Sequence, residues 1–239
     1  MLATAPTNEQ PTRVARAPKL AAVRSADGPV RLDGDAARDA GPQLDPDVWG
    51  PPLWDMLFCL AIKAPASCAV DVQIICQQLE KVIPCQHCRR SYTVYRRMLK
   101  PINSMRDIDP VRPAAPWLWT IHDLVNQDLG KICISYDKLL KRHRATASIT
   151  HDLNVLNLLS MMALAVRPHH LIAFAETLCR VLSKMEGFLL PGVLRPEVLK
   201  EDTLLDQLFE CDVQLRGAKH MLPLSREAFD EQLAAALAT

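Results

Sequence analysis

Glycine and aromatic side chains are scarce in this chain. It has 8 glycines in 239 residues and an aromatic content of 5%. No Gly-x-Gly-x-x-Gly occurs, which removes the phosphate-cradling turn of a dinucleotide-binding βαβ unit. No apolar run reaches the roughly 20 residues that a membrane-crossing helix needs. The nearest, from Leu153 to Val166, is interrupted by Asn154, Asn157 and Ser160, so membrane insertion is not expected. Neither sign of charge dominates, with 28 Lys+Arg against 27 Asp+Glu, and no broad basic face for nucleic acid is implied. The alternating pattern of half-buried strands is missing too, so the strands that a thioredoxin-like Cys-x-x-Cys requires are not there. The opening residues contain no apolar core of a classical secretory signal.

Residues 1–47 hold prolines at 6, 11, 18, 29, 42 and 46, no aromatic residue and no cysteine, and read as a disordered N-terminal arm. Arg13, Arg16, Lys19 and Arg24 give it the charge of an organelle leader, but the prolines break the amphipathic helix such a leader needs. From Asp47 onward the apolar spacing is helical. Leu53, Trp54, Leu57 and Leu60 form one stripe; Val70, Ile74, Ile75, Leu79 and Val82 form a second. Tyr92, Tyr95, Met98 and Leu99 mark a third, ended by Pro101. Trp117, Leu118, Ile121, Leu124, Val125 and Leu129 mark a fourth, closed by Gly130, and a short fifth helix fits Tyr136 to His143. The expected fold is all-α: a four-helix antiparallel bundle plus a short fifth helix over 48–147, followed by a second helical region over 148–239. In that second region helices are expected at 153–162, 171–182, 199–208 and 229–237.

Two groups of residues carry chemistry. Cys85 and Cys88 in Ile83-Pro84-Cys85-Gln86-His87-Cys88-Arg89-Arg90 are close enough to form a disulfide and reopen it. Pro84 suits a helix start, and the helix dipole with Arg89 and Arg90 favours the thiolate. Cys85, at the very start of the helix, is expected to be the more accessible, and Cys88 to face the bundle. In the fourth helix His122 and Asn126 are four apart and share a face with the apolar Val125 and Leu129, a strip suited to a nucleotide's ring and hydroxyls.

Taken in order, Trp49-Gly50-Pro51-Pro52-Leu53-Trp54, the Pro-Cys-x-x-Cys, and His122-Asp123-Leu124-Val125-Asn126 with Leu129-Gly130-Lys131 resemble the Erv/ALR family of FAD-linked sulfhydryl oxidases. The resemblance covers about residues 48 to 140. It implies FAD inside the four-helix bundle, held by Trp54, His122, Asn126 and Lys131, and a redox pair, Cys85 and Cys88, that oxidises thiol-containing protein substrates and passes electrons to O2, giving H2O2. A homodimer is also compatible with it. The Trp-Gly-Pro-Pro-Leu-Trp opening is most similar to the members encoded by large DNA viruses, for which the host cytoplasm or the virion would be the place of action.

The chain departs from the family pattern at several places. Phe58 stands where the family usually has a histidine. Asp123 replaces an asparagine. Trp119 and Tyr136 stand near the places of a common structural disulfide, which leaves Cys133 without that partner. The tryptophan-rich tail is absent after Lys138. The rival readings are a non-enzymatic helical interaction protein that has lost the flavin, and a zinc module built on Cys85, Cys88 and a histidine, although no second Cys-x-x-Cys completes four ligands. Cys59, Cys68, Cys76 and Cys179 sit among apolar residues and read as buried small hydrophobes, whereas Cys211 is a candidate shuttle thiol. The second region could be a degenerate second bundle covering the face where a homodimer partner would sit.

Overall fold

The architecture is given by a computed structural model that describes residues 44–145 and 151–237. The expected arm therefore lies, apart from its last four residues, outside the described residues. Helix α1 (Pro46–Lys63) opens on Asp45, whose carboxylate accepts the Asp47 amide N–H at 2.9 Å, with Pro46 in the first turn. That is the expected capping chemistry for an N-terminus. A 3-10 turn, Ala66–Cys68, leads into α2 (Ala69–Val82). Ile83 then turns extended, as a residue before proline must, and α3 (Gln86–Met98) follows. Beyond a 3-10 segment at Ile102–Asp107 lie α4 (Ala114–Asp128) and α5 (Tyr136–Ala145). Pro116 falls in the first turn of α4, where its missing N–H costs nothing.

The second region contributes α6 (His151–Ala165), α7 (Pro168–Leu182), α8 (Leu190–Val193), α9 (Leu204–Ala218) and α10 (Arg226–Leu237). No strand occurs among the described residues, as the apolar spacing implies. One expected helix is displaced: the stretch from Leu199 is not helical, and α9 starts only at Leu204. Pro196 begins a separate 3-10 turn there, and the Gln207 side chain holds the extended link by accepting the Lys200 N–H and donating to the Val198 carbonyl. The four-residue α8 was also not expected, because Pro191 lies inside its first turn rather than between helices.

Helix α1 packs on α4 and α5 on one side and on α6 on the other, while α2 packs on α3 and on α7. Leu57, Leu60, Ile75, Leu79, Leu118 and Phe174 are all buried in the resulting core. Asp152, fully buried at the start of α6, accepts the N–H groups of Leu189 and Leu190 at 3.1 Å each and pairs with Lys219 Nζ at 3.0 Å. One carboxylate thereby joins the starts of α6 and α8 to the end of α9.

The end of α4 and the end of α9 are built alike. Leu129 N–H bonds Val125 O, Gly130 N–H bonds Gln127 O and Lys131 N–H bonds Asn126 O. Raising each number by 90 gives three bonds that also exist: Lys219 to Leu215, His220 to Gly217 and Met221 to Arg216. Gly130 and His220 both take a positive φ, 63° and 53°, the left-handed residue that ends a helix. The same shift relates the next helix starts, where Ser135 Oγ accepts the Lys138 N–H and Ser225 Oγ accepts the Ala228 N–H.

At Trp119 and Tyr136, near where the resemblance implies a structural disulfide, the contact is aromatic instead. The Trp119 and Tyr136 rings lie 5.9 Å apart, and Trp119 Nε1 donates to the Ile134 carbonyl at 2.9 Å. Trp119→Ala should therefore lower unfolding free energy by about 2–3 kcal/mol in a denaturant melt, and adding a thiol reductant should not mimic the effect. Because α6 and α7 cover α1 and α2, a chain truncated after Ala147 would bare that apolar face. It should dimerise or precipitate in size-exclusion chromatography; a soluble monomer would contradict this packing role.

Candidate active site

Cys85 and Cys88 are joined as a disulfide with their Cα atoms 5.1 Å apart. Cys85 is the N-cap of α3, and its Sγ accepts the Cys88 N–H at 3.2 Å. This contact would stabilise a thiolate once the bond opens. The local chain is held firmly: Arg89 donates from its guanidinium to the Ile83 carbonyl at 3.0 Å, and Tyr92 Oη donates to the Cys76 carbonyl at 2.7 Å. The two arginines after the motif thus differ, Arg89 being buried and Arg90 exposed. Accessibility runs opposite to expectation. Cys85 is only 5% exposed, whereas Cys88 is half-buried. Val82, Ile83 and Pro84 are all buried, so the helix start lies at the bottom of the α2–α3 crossover instead of on an open surface.

A second cluster joins α1, α4 and α5. The Trp54 and His122 rings meet edge to face with centroids 4.7 Å apart, and Phe58 lies 5.5 Å from His122 and 5.9 Å from Trp54. Asn126 Nδ2 lies 3.5 Å from both ring nitrogens of His122, the long limit of a hydrogen bond. Burial lowers the His122 pKa, against the opposing pull of Asp123, so the imidazole is neutral at pH 7. Lys131 is not in this cluster; its exposed ammonium pairs with Asp47 in the first turn of α1 at 2.8 Å. Trp54, His122 and Asn126 are therefore brought together, and Lys131 is tied to the same helix farther along.

His143 belongs to the site although the sequence reasoning missed it. It is 4% exposed, lies 5.5 Å from the Phe58 ring, and places Nδ1 3.8 Å from Asp55 Oδ1. An imidazole from α5 thus borders Phe58, the position where the resemblance implies a histidine. The available signal was spacing, because His143 falls one turn after the buried Leu139.

Four of the remaining thiols are poorly suited to exchange chemistry. Burial pushes Cys59 up to about 11, Cys76 and Cys179 to about 12, and Cys211 to about 11. Cys211 also donates to the Val193 carbonyl, which argues against a shuttle role. Cys133 is half-buried and donates to the Asp123 carbonyl at 3.6 Å. Among the described residues no group of three or more His, Cys, Asp or Glu is gathered as a metal would require, and none of the helices there is long and apolar enough to cross a membrane.

These donors fit FAD chemically. An indole face and a neutral imidazole suit the flat ring system, a loosely engaged amide suits ring or ribose polar atoms, and an exposed ammonium suits phosphate. Comparison of the chain with curated proteins and with solved structures gives no match. The profile of the Erv1 / Alr family matches residues 51–144, from the paired prolines of α1 to the penultimate residue of α5. That stretch includes Trp54, the disulfide, His122, Asn126, Lys131 and His143, and through it residues 51–144 are similar to the Erv1 / Alr family.

Proposed function

We propose that this protein is an FAD-dependent thiol oxidase that introduces disulfides into protein substrates. The observation that carries the reading is the Cys85–Cys88 disulfide, held at a helix start in the same family segment as the Trp54–His122–Asn126 cluster. A substrate thiolate attacks one sulfur of the pair and expels the other, giving a mixed disulfide. The second substrate thiol then displaces the enzyme sulfur. The substrate loses two electrons and two protons, and Cys85 and Cys88 hold them as a dithiol. FAD, when bound, supplies the acceptor that returns the pair to the disulfide, with O2 as final oxidant and H2O2 as product.

The residue roles follow from their chemistry. Trp54 and His122 border the ring system, with His122 as a neutral hydrogen-bonding group. Asn126 would supply the amide, and Lys131 would offer its ammonium to phosphate. The second region acts as a degenerate copy of the bundle, a role supported by the hydrogen bonds repeated at a shift of 90. In that copy Asp212 and Arg216 occupy the positions of His122 and Asn126, and they form an ion pair at 2.6 Å with Asp212 fully buried. A charged pair there leaves no strip for a flavin, so one FAD per chain is expected. Because α6 and α7 cover α1 and α2, the working unit is a monomer.

Purified protein should be yellow. Replacing both His122 and Asn126 with alanine should release FAD and lower Tm, because a ligand bound only to the native state stabilises it. Full FAD content in the double variant would remove these two residues from the cofactor site, and colourless wild-type protein that takes up no added FAD would favour the flavin-free interaction protein. Cys85→Ser and Cys88→Ser should each abolish thiol oxidation. At least one of these variants should still capture a reduced peptide as a mixed disulfide seen by mass spectrometry, and the one that does identifies the sulfur that meets substrate; undiminished turnover in both would exclude the pair from the reaction.

A further inference from the structure

Every charged side chain from Lys81 to Arg106 is a cation, although the whole chain carries a net charge of only +1. This stretch contains the disulfide and all of α3. Two of its arginines have structural partners: Arg89 donates to the Ile83 carbonyl, and Arg96 pairs with Glu80. Arg90 and Arg97 are exposed and form no ion pair among the described residues. They fall on one face of α3 with His87 and Val94, at spacings of three, four and three residues. His87 lies inside the Cys-x-x-Cys loop and is exposed, so the stripe starts at the redox pair. Val94 is 53% exposed and Met98 47%, which puts apolar surface between the cations. Lys100 and Arg106, both exposed, continue the positive charge beyond the helix end.

Helix stability does not explain the arrangement. A cation near a helix start gains nothing from the helix dipole, yet Arg90 is the fifth residue of α3, and no acid occupies the first turn to offset it. The geometry points to a docking surface along α3 for acidic segments of thiol-bearing protein substrates, with Arg90 and Arg97 meeting carboxylates while Val94 and Met98 meet an apolar side chain. This deepens the thiol-oxidase reading and rests on it. The substrate's two thiols supply the two electrons and two protons that reduce Cys85–Cys88, and the stripe only selects which thiols arrive. Exposed charges of this kind act mainly on encounter and are screened by salt.

The test uses the FAD-loaded full chain, three substrates and two variants. The substrates are a reduced two-cysteine peptide flanked by Asp and Glu, the same peptide flanked by Lys, and the small thiol dithiothreitol. The wild type should prefer the acidic peptide by about tenfold in kcat/KM at low salt, with the preference shrinking at high salt. The pair Arg97→Glu and Lys100→Glu should reverse that preference, mostly through KM, while dithiothreitol turnover stays unchanged; Arg97→Lys with Lys100→Arg should retain it. Equal use of both peptides, or an unchanged preference in the charge-reversed protein, would overturn the proposal. So would binding of a single-stranded RNA that is lost on charge reversal while peptide preference is absent, since the stripe would then serve nucleic acid. Failure to oxidise dithiothreitol at all would instead sink the underlying oxidase reading, so the two failures are distinguishable.

Discussion

Helix α1 must be covered on two sides, and the rest of the architecture follows from that requirement. From Met56 to Ile62 every residue of α1 is buried, so a single amphipathic stripe does not describe it. One side turns to α4 and α5 and presents Trp54 and Phe58 to the imidazoles; the other turns to α6. A helix apolar all round is unstable in water unless a second layer exists, and the second region supplies that layer.

Covering both sides also explains how charges are used in the interior. Asp152 and Asp212 are fully buried, yet each has a cation, Lys219 and Arg216 respectively. Buried pairs of this sort do little for net stability but are costly to break from one side. The Asp152 pair fixes how α6, α8 and α9 meet, whereas Asp212–Arg216 lies within α9. In α4, His122 and Asn126 are only half-buried and meet at the 3.5 Å limit of a hydrogen bond. The scaffold is thus closed by ions in one half and left chemically open in the other.

The helical fold was legible in the sequence because the signals were local, and so was the grouping of Trp54, His122 and Asn126 in the candidate site. Apolar spacing of three and four marks α1 to α4, and the Cys-x-x-Cys places its own helix start. What was not legible depended on contacts distant in sequence. The exposure of Cys85 is set by the way residues 82–84 run between α2 and α3, which no periodicity reports. His143 joins Phe58 across 85 residues of chain, and its burial depends on where α5 lands. The start of α9 was misplaced because Leu199 continues an apolar pattern that Pro196 and Gln207 interrupt through hydrogen bonds.

The aromatic contact between Trp119 and Tyr136 has a thermodynamic consequence. With that bracing made of rings and one N–H···O=C bond, the fold around α4 and α5 does not depend on the oxidation state of any sulfur. Among the described residues the Cys85–Cys88 bond is the only disulfide. It closes a loop of two intervening residues, too short to restrict the unfolded chain much. Folding free energy and redox poise are therefore nearly independent coordinates in this molecule. The Cys85–Cys88 pair can cycle between its two states without cycling the scaffold, and the chain can remain folded in surroundings that would keep every other thiol reduced.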